Sequence, residues 1–370
     1  ATIADLKDIL SKPERVLQII REDLNGIKER YPSPRKTELS YDPASIDDAD
    51  LIEREDVVVS MTHFGYIKRL PVAEYRAQHR GGRGITAHKP KEEDFVEKMF
   101  VCSTHDRLLF FTNYGKVYAS VAFTIPEAQR TARGRAVVNL LQLNDGERVT
   151  AMLVCNEGEE GFIAMATKNG LIKKTSISEF ENIRKTGKIA INLNEGDQLI
   201  SVNICRGDGE FMVASRSGKC IRFAESDVRP TGRDTQGVKS MELDDDDFVV
   251  DMLVLKPDCE LLTVSAKGYG KRSSLEDYRL QNRGGKGIKA GTFNEKTGLL
   301  VNMKQVEEDE DVMLITDNGT IIRTHAENIS RIGRDTQGVI IMRLDEGEVA
   351  TVSIASKEDE EEGEEEGAEE

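Results

Sequence analysis

The stretch Gln78-His79-Arg80-Gly81-Gly82-Arg83-Gly84 returns 203 residues later as Gln281-Asn282-Arg283-Gly284-Gly285-Lys286-Gly287. The likeness extends on both sides. Residues 62–85 and 265–288 share 12 of 24 positions, among them Gly65/Gly268, Tyr66/Tyr269, Lys68/Lys271, Arg69/Arg272 and Tyr75/Tyr278. Identity at that density marks an internal repeat, and the period of the repeat fixes the architecture.

One glycine sets the period. Phe111-Thr112-Asn113-Tyr114-Gly115-Lys116-Val117-Tyr118 and Ile315-Thr316-Asp317-Asn318-Gly319-Thr320-Ile321-Ile322-Arg323 are two copies of an apolar run, a polar pair, a glycine and a second run. Gly65, Gly115, Gly170, Gly218, Gly268 and Gly319 fill the slot at intervals of 50, 55, 48, 50 and 51 residues. That is the length of a four-stranded unit and exceeds that of helical-pair repeats. Asn169-Gly170 and Asn318-Gly319 lie between β-rich runs and predict hairpin tips with positive φ. The runs Val149–Val154, Leu199–Ile204, Val249–Leu255 and Val349–Ile354 predict buried strands. A second glycine follows at Gly84, Gly237, Gly287 and Gly338, with Arg133-Gly134-Arg135-Ala136 and Thr186-Gly187-Lys188-Ile189 as divergent copies. The chain therefore predicts a mainly β, six-bladed, propeller-like array over 51–356. The expected blades are roughly 51–102, 103–155, 156–206, 207–256, 257–306 and 307–356.

Composition agrees with this reading. Thirty-one glycines, no Trp and 5% aromatics imply many turns and small aliphatic cores. Cys102, Cys155, Cys205, Cys220 and Cys259 form no Cys-x-x-Cys pair and predict buried thiols of a reducing cytosol. No apolar run approaches a membrane span and no signal sequence opens the chain, so a soluble intracellular protein is expected.

The two ends differ from the body. Ile3, Leu6, Leu10, Leu17, Ile20, Leu24 and Ile27 follow helical spacing over 1–31, with Ser11-x-x-Glu14 in capping-box form. Such helices cannot bury their stripe alone, and with no initial Met an upstream domain is expected. Residues 32–50 predict a linker. Residues 357–370 hold ten carboxylates and one Lys, an acidic tail expected to be disordered and able to compete for a basic surface. Of the net charge of −16, the tail accounts for −9 and the body for −7.

Placement of the cations matters more than their sum. Four residues after the tip glycines stand Arg69, Lys174, Arg222, Arg272 and Arg323, with Ala119 the exception. Lys68, Lys173 and Lys271 precede three of them. Around the second glycine come Arg80 and Arg83, Arg133 and Arg135, Lys185 and Lys188, Arg229 and Arg233, Arg283 and Lys286, and Arg331 and Arg334. Repetition by rotation predicts a basic rim suited to duplex DNA. Bending a duplex through 40–90° costs ~1–6 kcal/mol, which a string of phosphate contacts offsets. No recognition helix or stacking platform appears, so the expected binding is sequence-independent.

These features resemble the C-terminal domain of the DNA gyrase A subunit, over essentially the whole chain. The specific part is the heptapeptide, which in that family is the GyrA box: Gln, Arg or Lys, Arg, Gly, Gly, Arg or Lys, Gly. Gln78, Arg80, Gly81, Gly82, Arg83 and Gly84 match it, and His79 departs, replacing a fixed charge by a pH-dependent one. The resemblance implies a β-pinwheel that wraps DNA with positive handedness and enables ATP-dependent negative supercoiling. The box would be the principal contact, and the copy at 281–287 a lesser one. It further implies two partners in an A2B2 complex, the gyrase B subunit together with another copy of the A chain, joined through the missing N-terminal region. It places the complex on the nucleoid of a bacterial cytoplasm. An isolated domain would be monomeric.

No catalysis is expected of the fragment. Arg30-Tyr31-Pro32 lacks the context of a cleavage tyrosine, and Tyr31, Tyr75 and Tyr278 predict packing roles. His63, His79, His88, His105 and His325 show no metal spacing, and Gly81-Gly82-Arg83-Gly84 lacks the Lys-Ser/Thr ending of a phosphate loop. No metal or cofactor is expected here; ATP and Mg would act on other domains or subunits. The rival readings are the related C-terminal domain of topoisomerase IV and an interaction propeller with no role on DNA.

Overall fold

The computed structural model describes residues 2–33, 51–62, 64–72, 96–129, 132–156, 158–318, 320–344 and 347–355. The heptapeptide 78–84, Tyr75, His63, His88, Gly319 and the acidic tail lie outside the described residues. Two compact units result, Ala1–Leu51 and Ile52–Glu370.

The first unit contains helices α1 (Thr2–Ser11) and α2 (Pro13–Arg30). The expected capping box is not formed. Lys12 is the N-cap of α2 and makes no side-chain cap, Pro13 takes the first turn, and Ser11 Oγ donates to the Asp8 carbonyl instead. Arg15 ties the helices by reaching Asp5 at 3.1 Å and Asp8 at 2.7 Å. The apolar stripe Leu6, Leu10, Leu17, Leu24 and Ile27 is exposed. Tyr31 is 77% exposed, so the packing role expected for it is not found.

The second unit consists of six antiparallel sheets. Blade 4 shows the pattern. Glu210–Ser215 pairs on one side with the inner strand Val249–Leu255 and on the other with Lys219–Ala224, which carries the two-residue outer strand Ile288–Lys289. The outer strand belongs to the next sequence repeat. Arg135–Ala136, Lys188–Ile189, Val238–Lys239 and Val339–Ile340 likewise complete blades 1, 2, 3 and 5. Each of these blades thus borrows a strand from its successor. Among the described residues blade 6 has three strands, Asp311–Thr316, Ile321–His325 and Val349–Ala355.

Inner strands of blades 2 to 6 pack side by side in succession, and Val349–Ala355 of blade 6 also packs on Val96–Ser103 of blade 1. Both faces of a blade are therefore covered. This is why Phe211, Met212, Val213 and Ala214 are all buried although they alternate between faces. Successive blades share apolar cores, such as Phe211, Val213, Ile221 and Phe223 with Ala164, Ala166 and Ile172 between blades 3 and 4. The five cysteines are buried and unpaired. Burial pushes Cys102 and Cys155 up to about 11 and Cys220 up to about 12, so these thiols stay protonated.

The hairpin tips differ in detail from expectation. Only the glycine is left-handed: Gly170 has φ +83°, and its N–H donates to the Thr167 carbonyl three residues back. Asn169 does not take positive φ, so the tip is a longer turn closed by a left-handed glycine. The threonine that closes it also accepts through Oγ1 from Leu171 N–H. Gly268 shows why no side chain is tolerated. Its carbonyl accepts from Ile341 and Met342, and a Cβ would lie 2.3 Å from the Met342 carbonyl oxygen. No helix among the described residues is long and apolar enough to cross a membrane.

Candidate nucleic-acid interface

The cation four residues after the tip glycine is a latch between blades. Arg69 Nε donates to the Ile125 carbonyl at 2.9 Å, Lys174 Nζ to the Glu225 carbonyl at 3.1 Å, and Arg272 Nε to the Ile329 carbonyl at 2.9 Å. Arg222 Nη1 reaches two carbonyls, Leu275 at 3.1 Å and Tyr278 at 2.9 Å. All these acceptors lie in or beside the short 3-10 turn of the following repeat. Carboxylates balance the charge. Lys174 is 3.0 Å from Glu225, Arg222 2.6 Å from Glu210, Arg272 2.8 Å from Glu260 and Arg69 3.2 Å from Glu127.

Blade 2 explains the exception at Ala119. Arg107 occupies the strand position that Glu210 and Glu260 fill in blades 4 and 5, and its Nη2 donates to the Phe180 and Glu181 carbonyls at 2.5 and 2.7 Å. The latch survives with the cation moved to the neighbouring strand. Sequence reading missed Arg107 because it followed a single column.

The preceding lysines are buried deeper still. Lys68 Nζ donates to the Ala132 carbonyl at 3.0 Å, and Lys173 Nζ to the carbonyls of Gly232, Arg233 and Thr235 at 2.7, 2.7 and 3.2 Å. Lys271 Nζ holds those of Gly333, Arg334 and Thr336 in the same way. Burial lowers Lys173 and Lys271 to about 8.

The expected rim is corrected accordingly. Lys68, Arg69, Lys173, Lys174, Arg222, Lys271 and Arg272 stand between blades and not on the surface. On the hairpin strand that follows the tip glycine these side chains point at the neighbouring blade, so a cation repeated there in blades 1, 3, 4 and 5 becomes an interior ladder. Arg323 is different, half exposed with Nε on Asp311 of its own blade at 2.5 Å. His325 Nδ1 also reaches Asp311.

The loops around the second glycine supply the surface cations. Arg133, Arg135, Lys185 and Lys286 are exposed, as are Arg184, Arg229, Arg279, Arg331, Lys239 and Lys289. Lys188, Arg233, Arg283 and Arg334 are half buried. The last three act as clamps onto the blade before them. Arg283 Nε donates to the Asp227 carbonyl at 3.3 Å and its Nη1 to the Lys239 carbonyl; Arg334 repeats this on Asp277 and Lys289. Arg233 Nη1 reaches the Ile189 carbonyl at 3.3 Å. Arg133 stacks its guanidinium 3.7 Å over the Tyr66 ring. Arg279, Lys239 and Lys289 were not singled out by the sequence, although the last two share one column, two residues after the second glycine.

Tyr278 is fully buried, as its expected packing role requires. Among the described residues no three His, Cys, Asp or Glu side chains converge to hold a metal ion.

A model of the DNA gyrase C-terminal domain, beta-propeller, matches 56–103, 106–156, 161–206, 209–256, 260–307 and 310–356, one match for each blade. The chain belongs to this family. The DNA gyrase A subunit of Halalkalibacterium halodurans is 54% identical over 370 residues, covering 100% of this chain and 44% of that protein. That of Streptococcus pyogenes serotype M1 is 52% identical over 363 residues, covering 97% of this chain and 44% of that protein. The chain therefore spans less than half the length of these gyrase relatives. Among solved structures, a DNA gyrase A C-terminal domain superposes with a TM-score of 0.69 at 30% identity, covering 81% of this chain and 99% of that one. The C-terminal domain of DNA topoisomerase IV superposes equally well, at 0.69, with 22% identity, covering 83% of this chain and 95% of that one, and shares the fold.

Proposed function

We propose that the Ile52–Glu370 unit binds duplex DNA along the loops between its blades and wraps it with positive handedness. On this reading the wrap delivers a DNA segment to the gate of an A2B2 gyrase and biases ATP-dependent strand passage toward negative supercoiling. Cleavage and ATP hydrolysis belong to other domains and subunits.

One observation carries the reading: exposed arginines and lysines recur at the same structural place, the loop around the second glycine, at every described junction. The hairpin-strand cations of blades 1, 3, 4 and 5 are consumed by the fold, so the cations of the loops and short outer strands are the ones placed to meet phosphate. Gly284 and Gly287, both with positive φ, form the tight turn that carries the exposed Lys286.

Affinity for a random-sequence duplex should fall log-linearly with salt, with a slope of about −4 or steeper, because each neutralised phosphate contributes ~0.9. A filter-binding or anisotropy series measures it. A slope near zero would favour an interaction propeller.

A further inference from the structure

The six junctions fall into two alternating classes. Three residues after the tip glycine stand Lys68, Tyr118, Lys173, Ile221, Lys271 and Ile322 in blades 1 to 6. Odd blades thus insert a buried ammonium into the loop of the next repeat, and even blades carry a ring or an aliphatic chain there. Tyr118 is buried with its hydroxyl on Glu147 at 3.2 Å, and Ile221 is fully buried.

The loops differ to match. Where Lys173 and Lys271 enter, the loops read Gly232-Arg233-Asp234-Thr235-Gln236-Gly237 and Gly333-Arg334-Asp335-Thr336-Gln337-Gly338. Their carbonyls turn inward onto the ammonium, and Asp234 and Asp335 offset its charge. Where Ile221 enters, the loop reads Asn282-Arg283-Gly284-Gly285-Lys286-Gly287. A Cβ on Gly285 would lie 3.7 Å from Ile221 Cδ1, so the contact is apolar and needs no balancing acid. Gly284 replaces the aspartate and Lys286 replaces the glutamine. Between blades 3 and 4 and between blades 4 and 5 the flanking cations correspond, Arg229 with Arg279 and Lys239 with Lys289, all exposed. A phosphate chain following one loop meets Asp234; following the other it meets Lys286.

We propose that Lys173 and Lys271, with the loop aspartates Asp234 and Asp335, sort the rim, so that bound duplex DNA presses its phosphates less on blades 3/4 and 5/6 than on the two described lysine-free junctions. These are blades 2/3, at Arg184, Lys185 and Lys188, and blades 4/5, at Arg279, Lys286 and Lys289. The inference rests on the DNA-binding reading above and makes the contact discontinuous instead of even around the ring. Lys173 and Lys271 are positioning residues that never touch DNA.

Matched double variants test it on the full chain. Arg279→Ala with Lys289→Ala should weaken binding of a random duplex about tenfold at 0.1 M salt and make the salt slope shallower by about 1 to 2. Arg229→Ala with Lys239→Ala, the same positions one blade earlier, should change affinity less than about threefold and leave the slope in place. In the opposite direction, Asp234→Asn with Gln236→Lys should tighten binding and steepen the slope by about 1. Equal losses from the two alanine pairs, or a larger loss between blades 3 and 4, overturn the sorting alone. A native chain with no salt-dependent binding overturns the DNA reading and the sorting together. If an alanine pair lowers the melting temperature, the gain-of-charge variant decides, and unchanged affinity there counts against the proposal.

Discussion

Arg83→Ala should abolish DNA wrapping and leave the fold intact, whereas Arg80→Ala should damage both. The two arginines lie outside the described residues, and the expectation comes from their register with three junctions that are described. Arg80 aligns with Arg233, Arg283 and Arg334, half-buried clamps whose guanidinium groups donate to carbonyls of the preceding blade. Loss of such charged hydrogen bonds costs about 1–3 kcal/mol. Arg83 aligns with Gln236, Lys286 and Gln337. Lys286 is the informative member, 71% exposed with its nearest carboxylate, Glu242, 4.0 Å away. A cation there contributes little to stability, since exposed pairs are worth ~0–1 kcal/mol. Thermal melts beside a wrapping assay separate the two roles. An Arg83→Ala chain that wraps normally, or one that melts as early as Arg80→Ala, would contradict the assignment.

Replacing a buried lysine should produce the largest change in stability. Lys271→Met should cost about 2–4 kcal/mol at pH 7, because the carbonyls of Gly333, Arg334 and Thr336 lose the donor that the buried Lys271 supplies. The methionine keeps the length of the side chain, which confines the effect to the ammonium. A pH signature accompanies it. The folded chain releases the Lys271 proton at about 8 and the ordinary value is 10.5, so between these the unfolded chain binds more protons. The contribution of this group to stability therefore rises with pH across that window, and Lys173 behaves alike. Denaturant titrations at pH 7 and 10 should show the native chain gaining more than the variant. Equal gains, or a variant as stable as the native chain at pH 7, would remove the lock.

The fold was legible because its landmarks are backbone requirements. A left-handed glycine that closes a turn and packs against the next repeat leaves a fixed mark at Gly115, Gly218 and Gly268. Strand runs such as Val249–Leu255 were equally plain, since burial on both faces makes six of the seven residues there apolar, Asp251 being the exception.

The direction of side chains was not legible. A period of about 50 residues states that Arg222 and Arg272 occupy one position in two blades, but not whether that position faces water or the next blade. The clue was present in the carboxylates Glu210 and Glu260, which recur 12 residues before those arginines and pair with them. An arginine already paired with a carboxylate on the adjacent strand has less charge to offer a phosphate. Arg107 escaped notice for a related reason, because in blade 2 the cation stands at the position the acids fill in blades 4 and 5, while the cation's own position holds Ala119. Arg133, Arg135, Lys185 and Lys286 are exposed, since glycine-rich turns between strands run along the surface.

The central claim is that DNA follows the loop cations around the blades through a large turn of fixed sense. Ligating a nicked circle in the presence of increasing amounts of the chain, then removing the protein and resolving the topoisomers, measures this directly. The predicted result is a progressive shift to positive linking difference that disappears at high salt and in Arg83→Ala. Unchanged topoisomers at saturating protein, or a shift of negative sign, would contradict it.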